Sequence, residues 1–328
     1  MQHIHDFIGF YMQTGFWIGS CPDLSLYDEA RRFTGMCAEI GYAYDCPAFM
    51  VAITIDGMVL LHHKEMASNV PQMGDPTQIE KALSWWDEFL DYAYALQAII
   101  ESETMRVAAP FGIAASEVAP DYTSTIGMID WFPVRRNWES GRVINEQLRD
   151  LEHYIRYVSK HGEVPSEITF SPYSWPKVKV STLDSAMRNF EYICAHPRVL
   201  KWLAFVTRSK VAYSKNDFAM SLLQSWFVIE SVCNQLYDDS PHIHVRGNRK
   251  NVKAKHIIDL LSQDGKLAAA TAHDLHEVRK VRNGLVHSPE TTRCSSRLAA
   301  LAGNLASSLS MHGHPFGVDL LWQCGVRY

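Results

Sequence analysis

Nowhere in the 328 residues is there a run of about 18 apolar residues, which argues against a transmembrane helix. The opening stretch Met1-Gln2-His3-Ile4-His5-Asp6 lacks the basic region of a secretory signal. Cysteine is sparse: Cys21, Cys37, Cys46, Cys194, Cys233, Cys294 and Cys324 are scattered, odd in number and never spaced Cys-x-x-Cys. That pattern fits a reduced, cytoplasmic protein better than a disulfide framework or a zinc ribbon. The histidine pairs His3/His5, His62/His63 and His242/His244 lack ligand spacing on a helix and a nearby carboxylate set, so no metal or other cofactor is expected. Internal repeats and low-complexity tracts are missing too.

The remaining composition, 47% hydrophobic and 20% charged, is that of an ordinary globular protein, and its length favours two domains. The net charge of −5 conceals a split. Residues 1–196 hold 14 Lys and Arg against 26 Asp and Glu, a balance of −12, whereas residues 197–328 hold 17 against 10, a balance of +7. A basic C-terminal third on an acidic protein points to a polyanion partner for that third.

The patterning changes at the same place. Residues 1–196 read as an acidic α+β domain. Residues 48–55 and 58–62 flank Asp56-Gly57, a favoured hairpin turn because both central positions need positive φ. Residues 79–104 predict a long helix with an aromatic face that includes Trp85, Trp86 and Phe89, and residues 143–160 predict another. Short strands are expected at 125–134 and 177–181. From Pro197 onward the pattern is helical, with segments at 198–212, 217–237, 252–262, 268–287 and 292–310. Five helices joined by short loops make a bundle, so the chain as a whole is expected to be mostly α.

The densest chemistry lies on the fourth of these helices, in Arg282-Asn283-Gly284-Leu285-Val286-His287, with Pro289 two residues beyond. A fixed cation, an amide and a titratable imidazole fall within about two turns. The same five-residue spacing at Arg156/His161 has tyrosine after the arginine and Gly162 after the histidine, and reads as a capped surface helix. With Leu275 at zero on an ideal helix, Val278, Leu285 and Val281 lie at about −60°, −80° and −120°, and Arg282 at about −20°. Asn283 and His287, at about 80° and 120°, flank that apolar sector. A guanidinium aimed toward a core needs a partner. Glu230, within the apolar arc of the 217–237 helix set by Leu222, Trp226, Ile229 and Cys233, is the expected one. Arg246, Arg249, Lys250, Lys253 and Lys255 crowd the next loop, and Arg279 and Lys280 precede the motif. Together they form an expected phosphate-binding footprint.

The Arg-Asn-x-x-x-His hexapeptide on a late helix, with the earlier helix Leu222–Val232 carrying Glu230, resembles the HEPN superfamily (higher eukaryotes and prokaryotes nucleotide-binding domains). It is most similar to the Apea-like subgroup of prokaryotic phage-defence and toxin proteins, over residues 197–328 only. The resemblance implies a metal-independent endoribonuclease acting as a homodimer, with two copies of the motif facing one cleft. Arg282 and His287 would be the catalytic pair, Asn283 their support, and Glu230 the polar residue of the earlier helix. Toxins regulated by a nucleotidyltransferase carry tyrosine two residues after the histidine; Pro289 stands there, which argues against such regulation.

RNA brings its own nucleophile, so such a site needs proton transfer and charge stabilisation. His287 carries an imidazole, the side chain best suited to a general base or acid near neutral pH. Arg282 would stabilise the phosphorane. On an ideal helix the two lie about 140° apart, which leaves either a distortion at Gly284 or a second subunit to complete the site. The acidic domain is expected to act as a sensor or brake, receiving a phage-derived or effector molecule. The alternative is a non-catalytic HEPN-like module that binds RNA or protein, with Arg282 and Glu230 as a structural ion pair.

Overall fold

The computed structural model of the chain describes residues 4–5, 8–12, 16–20, 40–55, 57–69, 77, 79–108, 136–137, 142–143, 176–240, 252–320 and 322. Its fold is mostly helical, with a small sheet region toward the N-terminus. Two compact units emerge: Met1–Ala93 with Ile99–Ala195, and Tyr94–Ala98 with His196–Tyr328.

In the first unit, strands β1 (Ile8–Tyr11), β2 (Ile40–Asp45), β3 (Phe49–Thr54) and β4 (Met58–His63) form an antiparallel sheet of order β1-β4-β3-β2. Every residue of β3 is buried, as expected of a strand covered on both faces. The β3–β4 hairpin pairs Phe49 with His63 and Ile53 with Val59. Gly57 in its turn has φ +85°, and a Cβ there would sit 2.8 Å from the Phe16 carbonyl oxygen, so glycine is required twice over. His63 then caps the short helix α1 (Lys64–Ser68), its Nδ1 accepting from the Met66 amide at 3.3 Å. The long helix α2 (Ile79–Ala108) buries Trp85, Trp86 and Phe89.

The expected strand over 177–181 is corrected by the structure. Only Lys177–Val178 pairs as a strand, in parallel with Trp17–Ile18, and helix α3 (Val180–Cys194) begins two residues later. Val178, Val180 and Thr182 are β-branched and Lys179 offers no side-chain cap, so the local signal favours a strand. Leu183, Ala186, Met187, Phe190 and Ile193 nevertheless repeat at helical spacing and are buried. Phe190 packs edge-on to Phe49 at 4.8 Å, and the Tyr42 and Tyr44 hydroxyls donate to Asp184 and Glu191. The segments 125–134 and 143–160 fall outside the described residues, except that Val143 pairs with Arg136 in a two-residue ladder.

The second unit contains helices α4 (Pro197–Ser214), α5 (Phe218–Asp238), α6 (Ala254–Gln263), α7 (Ala269–His287) and α8 (Ser296–Ser310). Helix α5 is the hub and touches the other four. Asp217 starts it by accepting from the Met220 amide at 3.1 Å. Small residues allow close approach. Ser209, Ser221 and Ser225 form a buried hydroxyl cluster between α4 and α5, and Ala299, Ala302 and Ala306 line the buried face of α8. Among the described residues, no helix is long and apolar enough to cross a membrane.

Candidate active site

Helix α7 carries the Arg-Asn-x-x-x-His motif and runs unbroken to His287. Leu275 and Val278 anchor it in the core, while Val281 and Leu285 are half-buried nearer its end. Ser288 leaves the helical region with φ −148° and ψ 59°, and its amide returns to the Gly284 carbonyl at 2.7 Å. Pro289 then prevents continuation. Gly284 does not distort this helix. Its missing side chain makes room for Thr292, whose Oγ1 would lie 2.6 Å from a Cβ at position 284.

One turn earlier, the Arg282 guanidinium is held from three sides. It donates to Asn283 Oδ1 at 3.1 Å, lies 3.9 Å from Glu230 Oε2 and sits 5.9 Å from the Trp226 ring centroid. Trp226 also donates from its indole Nε1 to Glu230 Oε2 at 3.0 Å, one helical turn along α5. The arginine and carboxylate side chains are 26% and 38% exposed. They are therefore not the core pair expected from the apolar arcs but a pair at its margin, where water screens the carboxylate and leaves the cation able to attract an anion. Of five guanidinium donors, few are occupied by these contacts.

The two other polar members of the motif lie along one row of α7, because Arg279, Asn283 and His287 are each four residues apart. Asn283 is half-buried; His287 is exposed and joins no hydrogen bond or ion pair among the described residues. Arg279 is half-buried, with a buried Nε that has no hydrogen-bond partner. Lys280, Lys253 and Lys255 are exposed. Arg246, Arg249 and Lys250 lie outside the described residues. The structure thus brings Arg282, Asn283 and Glu230 together and leaves His287 at the free end of the same helix.

Trp226 is the site residue that sequence reasoning missed. Its place in the apolar stripe of α5 masks a polar role, and its four-residue spacing from Glu230 is the one local signal that the two can meet. The neighbouring Cys233 offers no nucleophile, since burial, and then the Glu230 carboxylate, push its thiol up to about 12. Between α5 and α6 beside Glu230 the packing leaves a cavity of about 10 Å³, too small for a ligand. No group of three or more metal-ligating side chains occurs among the described residues. Comparison with protein-family models, with curated proteins and with solved structures finds no match to this chain.

Proposed function

We propose that the second unit is a metal-independent endoribonuclease of HEPN type, serving phage defence or a toxin system. The observation that carries this reading is the partly exposed guanidinium of Arg282, oriented by Asn283, Glu230 and Trp226, on a helix that ends in an exposed imidazole. Such a cation, fixed before substrate arrives, stabilises the additional negative charge of a phosphorane. His287 takes the 2′-OH proton or delivers one to the departing 5′-oxygen. The 2′-oxygen bonds to phosphorus as the bond to the 5′-oxygen breaks, leaving a 2′,3′-cyclic phosphate and a 5′-hydroxyl. On one continuous helix Arg282 and His287 lie about 140° apart, so a second copy of the chain supplies the complementary group in a homodimer. Lys253, Lys255 and Lys280 add attraction for the RNA backbone.

Cleavage of structured and unstructured RNAs with chelator present tests this directly. Arg282→Ala and His287→Ala are each expected to lower the rate by about 100-fold or more, while His287→Ala still binds RNA. The Arg282–Glu230 contact also favours a second reading, in which the pair merely braces α7 against α5 in a non-catalytic module that binds RNA or protein. Cleavage by wild type that persists at full rate in both variants would remove the enzyme reading in favour of that one.

A further inference from the structure

A second feature of the helical unit lies outside the motif. Helices α4 and α5 leave between them an open groove of about 470 Å³, bordered by Arg198, Lys201, Trp202, Phe205, Phe227 and Ser231. Its floor is closed by Trp202, whose indole Nε1 donates to the Ser231 hydroxyl at 2.9 Å. Phe227 stands over it 51% exposed, edge-on to Phe205 at 5.9 Å. Lys201 lies 5.9 Å from the Phe205 ring centroid and Arg208 5.6 Å from it. The lining residues include two cations and no carboxylate.

One exposed aromatic ring, Phe227, beside a half-buried Phe205 and flanking cations matches one polymer chemically. A base stacks on Phe227 while phosphates meet the ammonium and guanidinium groups. A duplex keeps its bases stacked on each other, so the occupant must be single-stranded. A second copy of this chain is disfavoured, because a two-fold contact centred here would set Arg198 and Lys201 against their own images. The groove also adjoins the candidate active site. Phe227 and Glu230 are three residues apart on α5 and therefore neighbours on its surface.

We infer that this groove is a base-stacking subsite that holds an unpaired stretch of RNA and leads it to Arg282. The inference rests on RNA being the substrate of that site. Anisotropy of a labelled oligouridylate, measured on the full chain in the His287→Ala background, isolates binding from cleavage. Phe227→Ala is expected to weaken binding roughly tenfold and Phe227→Trp to preserve it. Inorganic polyphosphate, which has charge without bases, should bind both equally. Unchanged oligouridylate affinity in Phe227→Ala overturns the subsite, as does an equal loss for polyphosphate. Conversion of a dimer to a monomer by Phe227→Ala, with RNA affinity intact, assigns the groove to a second copy instead. The two readings fail separately. Phe227-dependent binding with no cleavage by wild type removes the ribonuclease and keeps the groove; cleavage with Phe227-independent binding does the reverse.

Discussion

Arg282 owes its position to three different forces acting on one planar group. Asn283 fixes the guanidinium through a hydrogen bond, Trp226 offers a ring face, and Glu230 supplies a screened charge. At 3.9 Å and partial exposure, the ion pair stabilises the fold by no more than about 1 kcal/mol. Lysine would keep the charge but lose the plane and the forked donors. Arg282→Lys is therefore expected to leave the melting temperature within a few degrees of wild type while lowering RNA cleavage by about 100-fold. A drop in melting temperature with cleavage intact would make this arginine structural.

The element that decides the site is the C-terminal turn of α7 with the loop that follows. Ser288 turns the chain, its carbonyl accepts from the Thr291 and Thr292 amides, and Thr292 is returned onto Gly284. Gly284→Ala would thrust a methyl group against Thr292 Oγ1 and Cγ2, at 2.6 and 2.8 Å. The expected cost is about 1–3 kcal/mol despite alanine being the better helix former. Adding Thr292→Ala removes both clashing atoms and should restore most of that loss. Urea unfolding of the two single variants and the double variant measures the coupling. Strictly additive effects would mean that the loop moves aside freely.

Across the whole molecule, two buried bases make the stability of each unit rise with pH, over different ranges. In the first unit, His63 is held below the ordinary imidazole range by burial, with Glu65 pulling upward and His62 adding a further downward push. The neutral ring is also the acceptor that caps α1. Unfolded histidine takes up a proton near pH 6.5, so stability complete above about pH 6.5 is lost as pH falls below it. His63→Asn keeps a capping acceptor and should flatten that loss. In the second unit, burial pushes Lys210 down to about 7. From there upward the folded state releases a proton that the unfolded chain retains, so stability rises with pH. The rise is expected to run to about pH 8.5, where the unfolded thiols begin to ionise. Cys233 and Cys294, raised by burial, oppose it beyond that point. Calorimetric melting between these pH values, with Lys210→Met as the flat control, checks the second slope. A slope unchanged in either variant would dissociate it from that residue.

Period and punctuation made much of this architecture legible. The Asp56-Gly57 hairpin, the long aromatic helix and the five C-terminal helices follow from local patterns that one segment carries alone. Helix α3 was hidden because β-branched residues at its start resemble a strand, and only its packing on the sheet expresses the apolar repeat. Wheel geometry likewise placed Arg282 and Glu230 toward apolar arcs, but it had no information on how deeply those arcs are covered. The amino-acid order determined the five C-terminal helices and that a cation, an amide and an imidazole share one of them. Tertiary packing decided that Glu230 and Trp226 meet this cation at the margin of the core, because the distance between separate helices depends on side-chain volumes and loop paths that no local pattern encodes.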